Sequence, residues 1–108
     1  MAQIEISNRT GQPAVVKLRD AGGQAAATVF LAPHDRALVA NLPDTVYRPD
    51  FAIGELWSRA CNGFAAGMRA QRFAGYASPS GLSPLVIPPD LSVAPAPEDI
   101  SDAAFERD

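Results

Sequence analysis

The sequence predicts an all-β fold: a small antiparallel β-sandwich with one short helical segment and an extended, Pro-rich C-terminal tail. Turn-forming residues recur about every ten positions up to residue 54, with short apolar alternation between them. Most of the ten prolines crowd the last third of the 108 residues, where that alternation stops. The chain therefore divides into a β-sandwich domain, residues 1–76, and an acidic Pro-rich tail, residues 77–108.

Ile4 and Ile6 flank Glu5, a minimal strand of period two. Ser7 to Gly11 breaks it as a turn. Asn8 is read there as bonding its own backbone, although Asn8-Arg9-Thr10 formally spells a glycosylation acceptor. Ala14, Val16 and Leu18 alternate with Val15, Lys17 and Arg19, so the second strand is half-buried, with an apolar and a basic face. Asp20-Ala21-Gly22-Gly23 is a hairpin signal, because glycine takes positive φ without a steric penalty. Thr28 to Leu31 reads as a third strand, Pro33-His34-Asp35 as a turn, and Ala37 to Leu42 as a fourth strand closed by Pro43-Asp44.

Val46 to Ile53 is a fifth strand, with Tyr47, Phe51 and Ile53 on one face and Val46, Arg48 and Asp50 on the other. Pro49 has no N–H to give a ladder, which predicts an edge or a bulge. Trp57, Ala60, Cys61, Phe64 and Met68 fall at helical spacing, and Asn62-Gly63 suits a helix C-cap. Glu55 to Cys61 is accordingly predicted as one or two helical turns, a flap over one end of the sheet. Met68 to Phe73 alternates again, as a last strand. Beyond Tyr76, the run Pro84 to Leu91 is apolar and bracketed by prolines, which suits an extended strip. Pro97-Glu98-Asp99 opens a short helix, expected over 98–105, which needs a surface to dock on.

Charge follows the same division. Residues 1–76 hold eight Lys/Arg and six Asp/Glu; residues 77–108 hold Arg107 against six acids, within a net charge of −3. A near-neutral body with an acidic tail argues against nucleic acid as the main partner. No apolar stretch approaches the ~18–20 residues that cross a bilayer. The N-terminus has neither the basic nor the apolar region of a signal peptide. This reading puts the chain in the cytoplasm if Met1 is the native start, and leaves the periplasm or a membrane-associated complex open if the chain is an excised domain.

Chemistry-bearing motifs are sparse. His34, the single histidine, neighbours Asp35, but Pro33 and Arg36 around them mark an exposed turn more than a general base. Cys61, the single cysteine, sits among Ala60, Phe64 and Met68 as a buried thiol would. One His and one Cys fall short of a zinc set, the acids form no calcium loop, and Gly63 to Gly67 leads into Met68-Arg69 rather than a phosphate-binding Lys-Ser/Thr. No catalytic, metal or cofactor residue is assigned. Trp57, Tyr47, Phe51 and Phe64 suit a core, with an aromatic ligand platform as the alternative.

The pattern Asn8-x-Thr10, Ala14-Val15-Val16-Lys17-Leu18-x-Asp20, a Gly-rich turn, then Tyr47-Arg48-x-x-Phe51-Ala52-x-Gly54-x-x-Trp57 and Phe64 resembles a module of uncharacterised bacterial proteins. Its layout is similar to prealbumin-like and carboxypeptidase-regulatory-like β-sandwiches. The resemblance implies a sandwich and no activity; Pro49 departs from it where an aliphatic residue is usual. Pro84 to Leu91 resembles an extended segment of barrel-assembly lipoprotein subunits, although the lipidated cysteine of those proteins has no counterpart here.

The functional expectation is a non-catalytic interaction or scaffold module, an accessory subunit of a larger bacterial complex with a protein partner. Its tail would lie along that partner, with Leu85, Val86, Ile87, Leu91, Ile100 and Phe105 as apolar anchors. Arg59, Arg69 and Arg72 form an acid-free basic cluster that would receive an acidic partner or the chain's own tail. The alternative is a small-ligand domain, for a carbohydrate-like molecule, built around Trp57.

Overall fold

The computed structural model describes residues 2–43, 45–54, 56–58, 63–66, 69–75, 85–87 and 96–106. Ten strands and one helix follow in order: β1 (Ala2–Asn8), β2 (Ala14–Arg19), β3 (Ala25–Leu31), β4 (Arg36–Leu42), β5 (Arg48–Ile53), β6 (Leu56–Ser58), β7 (Gly63–Ala66), β8 (Arg69–Arg72), β9 (Leu85–Ile87), β10 (Glu98–Asp99) and α1 (Asp102–Glu106). Among the described residues one sheet has the order β4-β1-β9, another β10-β8-β5-β2-β3, and β6 pairs with β7. All pairings are antiparallel except that of β9 with β1. This is the small, mostly antiparallel sandwich that the turn spacing predicts.

The main core lies between the two larger sheets. Ile4 and Ile6 of β1 meet Val16 and Leu18 of β2, Leu31 and Leu42 at the ends of β3 and β4, Tyr47 and Phe51 around β5, and Ile87 of β9. Period-two alternation delivers these residues to one side of each strand. Phe73 closes on Phe51 edge to face, with ring centroids 5.5 Å apart. The Tyr47 hydroxyl donates to the Pro43 carbonyl at 2.7 Å, which satisfies a buried phenol as β-sandwich corner tyrosines do.

The second strand departs from its expected half-burial: all six residues of β2 are buried. Its outer face is covered by the C-terminal segment. Val15, Ala52, Ala70 and Phe105 form a second apolar cluster there, joined by Ile100. The Lys17 ammonium lies 5.0 Å from the centre of the Phe105 ring, a cation–π contact. No pattern inside β2 signals this cover, since it arrives from residues more than eighty positions away.

Three local expectations are corrected. Leu56–Ser58 is a strand and not a helix: β6 and β7 form a hairpin with Trp57 opposite Phe64. Cross-strand pairing thus takes two of the positions read at helical spacing, and Asn62-Gly63 is also a hairpin signal. Pro49 lies inside the sheet, with β2 on one side and β8 on the other. The sheet accepts it because β8 pairs only from Asp50 onward, and the Pro49 carbonyl takes the Phe73 N–H just past the end of β8. In an antiparallel ladder a residue's N–H and C=O point to the same neighbour, so the missing donor falls where the strand has ended. The short helix spans Asp102–Glu106 rather than 98–105, because Glu98 and Asp99 are spent as β10.

The described parts of residues 77–108 are extended except for α1, but they do not stand apart from residues 1–76. β9 joins the first sheet through Ile6, Ser7 and Asn8, and β10 adds to the second through Gln71 and Arg72.

Candidate functional site

The outer face of the five-stranded sheet carries a row of polar side chains fixed by register. Thr28 is opposite Lys17, Lys17 opposite Asp50, Asp50 opposite Arg72 and Arg72 opposite Glu98. Residues in register on adjacent strands share a face, so charges alternate along the row from Lys17 to Glu98. Asp50 is fully buried and is held by two guanidiniums. Arg19 Nε donates to Oδ2 at 2.5 Å, Arg72 Nε to Oδ1 at 2.7 Å and Arg72 Nη2 to Oδ2 at 3.1 Å. The Arg72 pKa is raised above its ordinary value, first by the hydrogen bond to Asp50, against the opposing effect of burial.

Arg19 also ties the C-terminal segment down. Its Nη2 donates to the carbonyls of Ala104 and Phe105, at 3.0 and 2.9 Å, and its Nη1 to that of Gly23 at 2.9 Å. A cation thus meets the open carbonyls at the end of α1, where the helix terminus attracts positive charge. Around this knot Arg19, Asp20, Ala21, Gly23, Arg48, Arg72 and Ala104 line a cleft of about 350 Å³. Arg19 and Arg72 brace Asp50, and Arg19 also holds the last turn.

The expected partner-binding residues scatter. Ile87 and Phe105 are buried in their own chain's two cores, so neither is turned outward as an anchor. Leu85, Val86 and Ile100 are half-buried, and Arg69 is exposed at the start of β8. Arg72 is engaged by Asp50 and faces Glu98, while Gln71 Nε2 donates to Asp99 at 2.8 Å. Glu98 and Asp99 of the tail therefore lie along β8. Arg59 and Leu91, and the side chain of Trp57, lie outside the described residues. His34 is an exposed turn residue with φ 58°, and its N–H donates to the Thr10 carbonyl.

No protein-family model, curated protein or solved structure matches this chain. What the chain can bind is therefore argued from its own surface.

The feature that alternation alone does not bring out is the edge formed by β3. Ala25–Leu31 reads Ala-Ala-Ala-Thr-Val-Phe-Leu, without charge, proline or glycine. Among the described residues it is terminal in the five-stranded sheet, and Ala26, Thr28 and Phe30 are exposed on its outer face, Phe30 at 43%. Proteins usually blunt such edges with lysine, proline or a bulge. Here a bulge opposite Leu18 and Arg19 disturbs only the first residues, and Ala27–Leu31 runs regularly. β4, the edge of the other sheet, is better guarded. It begins at Arg36, which pairs with Glu5 at 3.9 Å, and holds Asn41 at φ 61°. The sequence signal was a seven-residue run without charge; that it forms an edge is a property of topology.

Proposed function

We propose that this chain is a non-catalytic protein-interaction module, an accessory or scaffold subunit, that takes an extended segment onto the edge of β3. The uncharged, proline-free edge strand is the observation that carries the reading. Among the described strands only β2 pairs with it, so its far side is where strand addition would supply affinity, with Ala26 and Thr28 on the outer face for selectivity. The reading keeps the interaction role expected from the sequence and moves the docking surface from the tail to β3. Ile87 and Phe105, the strongest of the expected anchors among the described residues, are enclosed by their own chain.

The test is selection of short random peptides on the full chain, followed by mapping on backbone amide NMR shifts. Selected peptides are expected to alternate apolar residues, to shift the amides of Ala25–Leu31, and to lose binding to Thr28→Lys. Peptides that shift only β9, β10 or α1, or a selection that yields none, would overturn the reading.

A further inference from the structure

We infer that residues 96–106 are a latch that opens while the rest of the sheets stay folded, and that the face beneath it, a surface other than the β3 edge, docks an acidic segment ending in an aromatic residue. The attachment of the latch is slight. β10 is two residues long and α1 five. A helix that short does not hold by itself, so α1 depends on the sheet below it. Of residues 96–106 Phe105 is the one that is buried; Pro97, Ile100 and Ala104 are half-buried and the others exposed. Phe105 belongs to the cluster of Val15, Ala52 and Ala70, not to the core between the sheets. Opening therefore uncovers the smaller cluster and leaves the larger one closed. A segment with so few buried apolar contacts opens at a lower free energy than the domain unfolds.

The face has its own chemistry. Register sets Val15, Ala52 and Ala70 in one row across β2, β5 and β8, and Lys17, Asp50 and Arg72 in the next. The latch carries Glu98, Asp99, Asp102 and Glu106 and neither lysine nor arginine. Three cations of the face meet it. The Lys17 ammonium lies 5.0 Å from the Phe105 ring, Arg19 donates to the Ala104 and Phe105 carbonyls, and Arg72 is opposite Glu98. The Ile100 N–H adds a backbone bond to the Ala70 carbonyl at 3.1 Å, so the latch runs onto β8 as an added strand. The bonds from Arg19 and Ala70 go to main chain, which any peptide offers. Selectivity lies in an acid opposite Arg72 and an aromatic ring on the apolar row, spaced as Glu98 and Phe105 are. A partner segment of that chemistry makes the same contacts. The chain's own latch, tethered at high effective concentration, keeps the face occupied until it opens.

Native-state hydrogen exchange of the full chain tests the opening. The amides of Ile100 and Phe105, bonded to the Ala70 and Ser101 carbonyls, are expected to exchange about 100-fold or more faster than that of Asn8, bonded to the Asp35 carbonyl. Equal protection of all three would make the latch part of the global unit and overturn the inference. Docking is tested with a synthetic peptide of residues 96–106, titrated into the full chain carrying Phe105→Ala and followed by amide NMR shifts. The peptide is expected to shift Val15, Ala52 and Ala70, and to bind this variant about tenfold or more tighter than the wild type, whose own latch competes. The same peptide in reversed order should leave those amides unmoved. Absence of binding, equal affinity for the two chains, or equal binding of the reversed peptide would refute the docking face. A Phe105→Ala chain without a cooperative urea transition would refute the latch itself, since its anchor would then hold up the whole fold.

Discussion

At the residue scale, two buried polar groups hold most of the specificity. Asn8 is buried, and its amide is fully used: Nδ2 donates to the carbonyls of Gln12 and Ala32, and Oδ1 accepts from the N–H and hydroxyl of Thr10. The turn role read from the sequence is present, and the bond to Ala32 adds a link to the β3–β4 connection that no local pattern announces. Asp50 has the larger consequence. Asp50→Ala is expected to strand the Arg19 guanidinium in a buried site and to lower stability by about 3–5 kcal/mol, read from urea unfolding. A loss no larger than that of an exposed substitution would contradict the bracing role. Arg72 has a raised pKa, so its contribution is complete below the unfolded-state value and is lost only when pH climbs past the folded one. The stability difference between wild type and Arg72→Gln should accordingly stay flat from neutral to moderately alkaline pH. His34 sits at positive φ, a conformation that penalises side chains. His34→Gly should leave stability unchanged or raise it by up to about 1 kcal/mol in the same unfolding measurement, an outcome incompatible with a structural role for the imidazole.

At the scale of elements, the strands were legible where one face meets the core and the other meets water. The inner face of β5 follows its sequence alternation, whereas β3 and β4 alternate in burial although their sequences are mostly apolar. β2 was legible as a strand but not in its burial, because α1 and Ile100 cover its basic face. β6 falls inside Glu55 to Cys61, the run predicted to be helical, because apolar positions at helical spacing also fit short paired strands. β9 was legible as extended but not as paired, since its parallel partner β1 lies about eighty residues earlier. Ile87→Ala should therefore destabilise the whole chain by about 2–5 kcal/mol, seen as a single cooperative shift of the urea midpoint. Truncation before residue 84 is expected to abolish cooperative unfolding rather than release a stable domain. Circular dichroism of the truncated chain with a sharp thermal transition would refute this.

At the scale of the whole molecule, the all-β class and the order of turns followed from the sequence by itself, because period-two alternation and turn chemistry are local properties. The division at residue 76 was a division of composition. The candidate site was barely legible: of the residues expected to meet a partner, Ile87 and Phe105 serve the core and Arg72 braces Asp50. Strand neighbours are chosen by long-range pairing and by competition between apolar surfaces for cover, and neither leaves a mark within a window of ten residues. Tertiary structure alone decided that Glu98 and Asp99 lie along β8, that Arg19 closes the last helical turn, and that an uncharged strand is, among the described residues, the edge of a sheet.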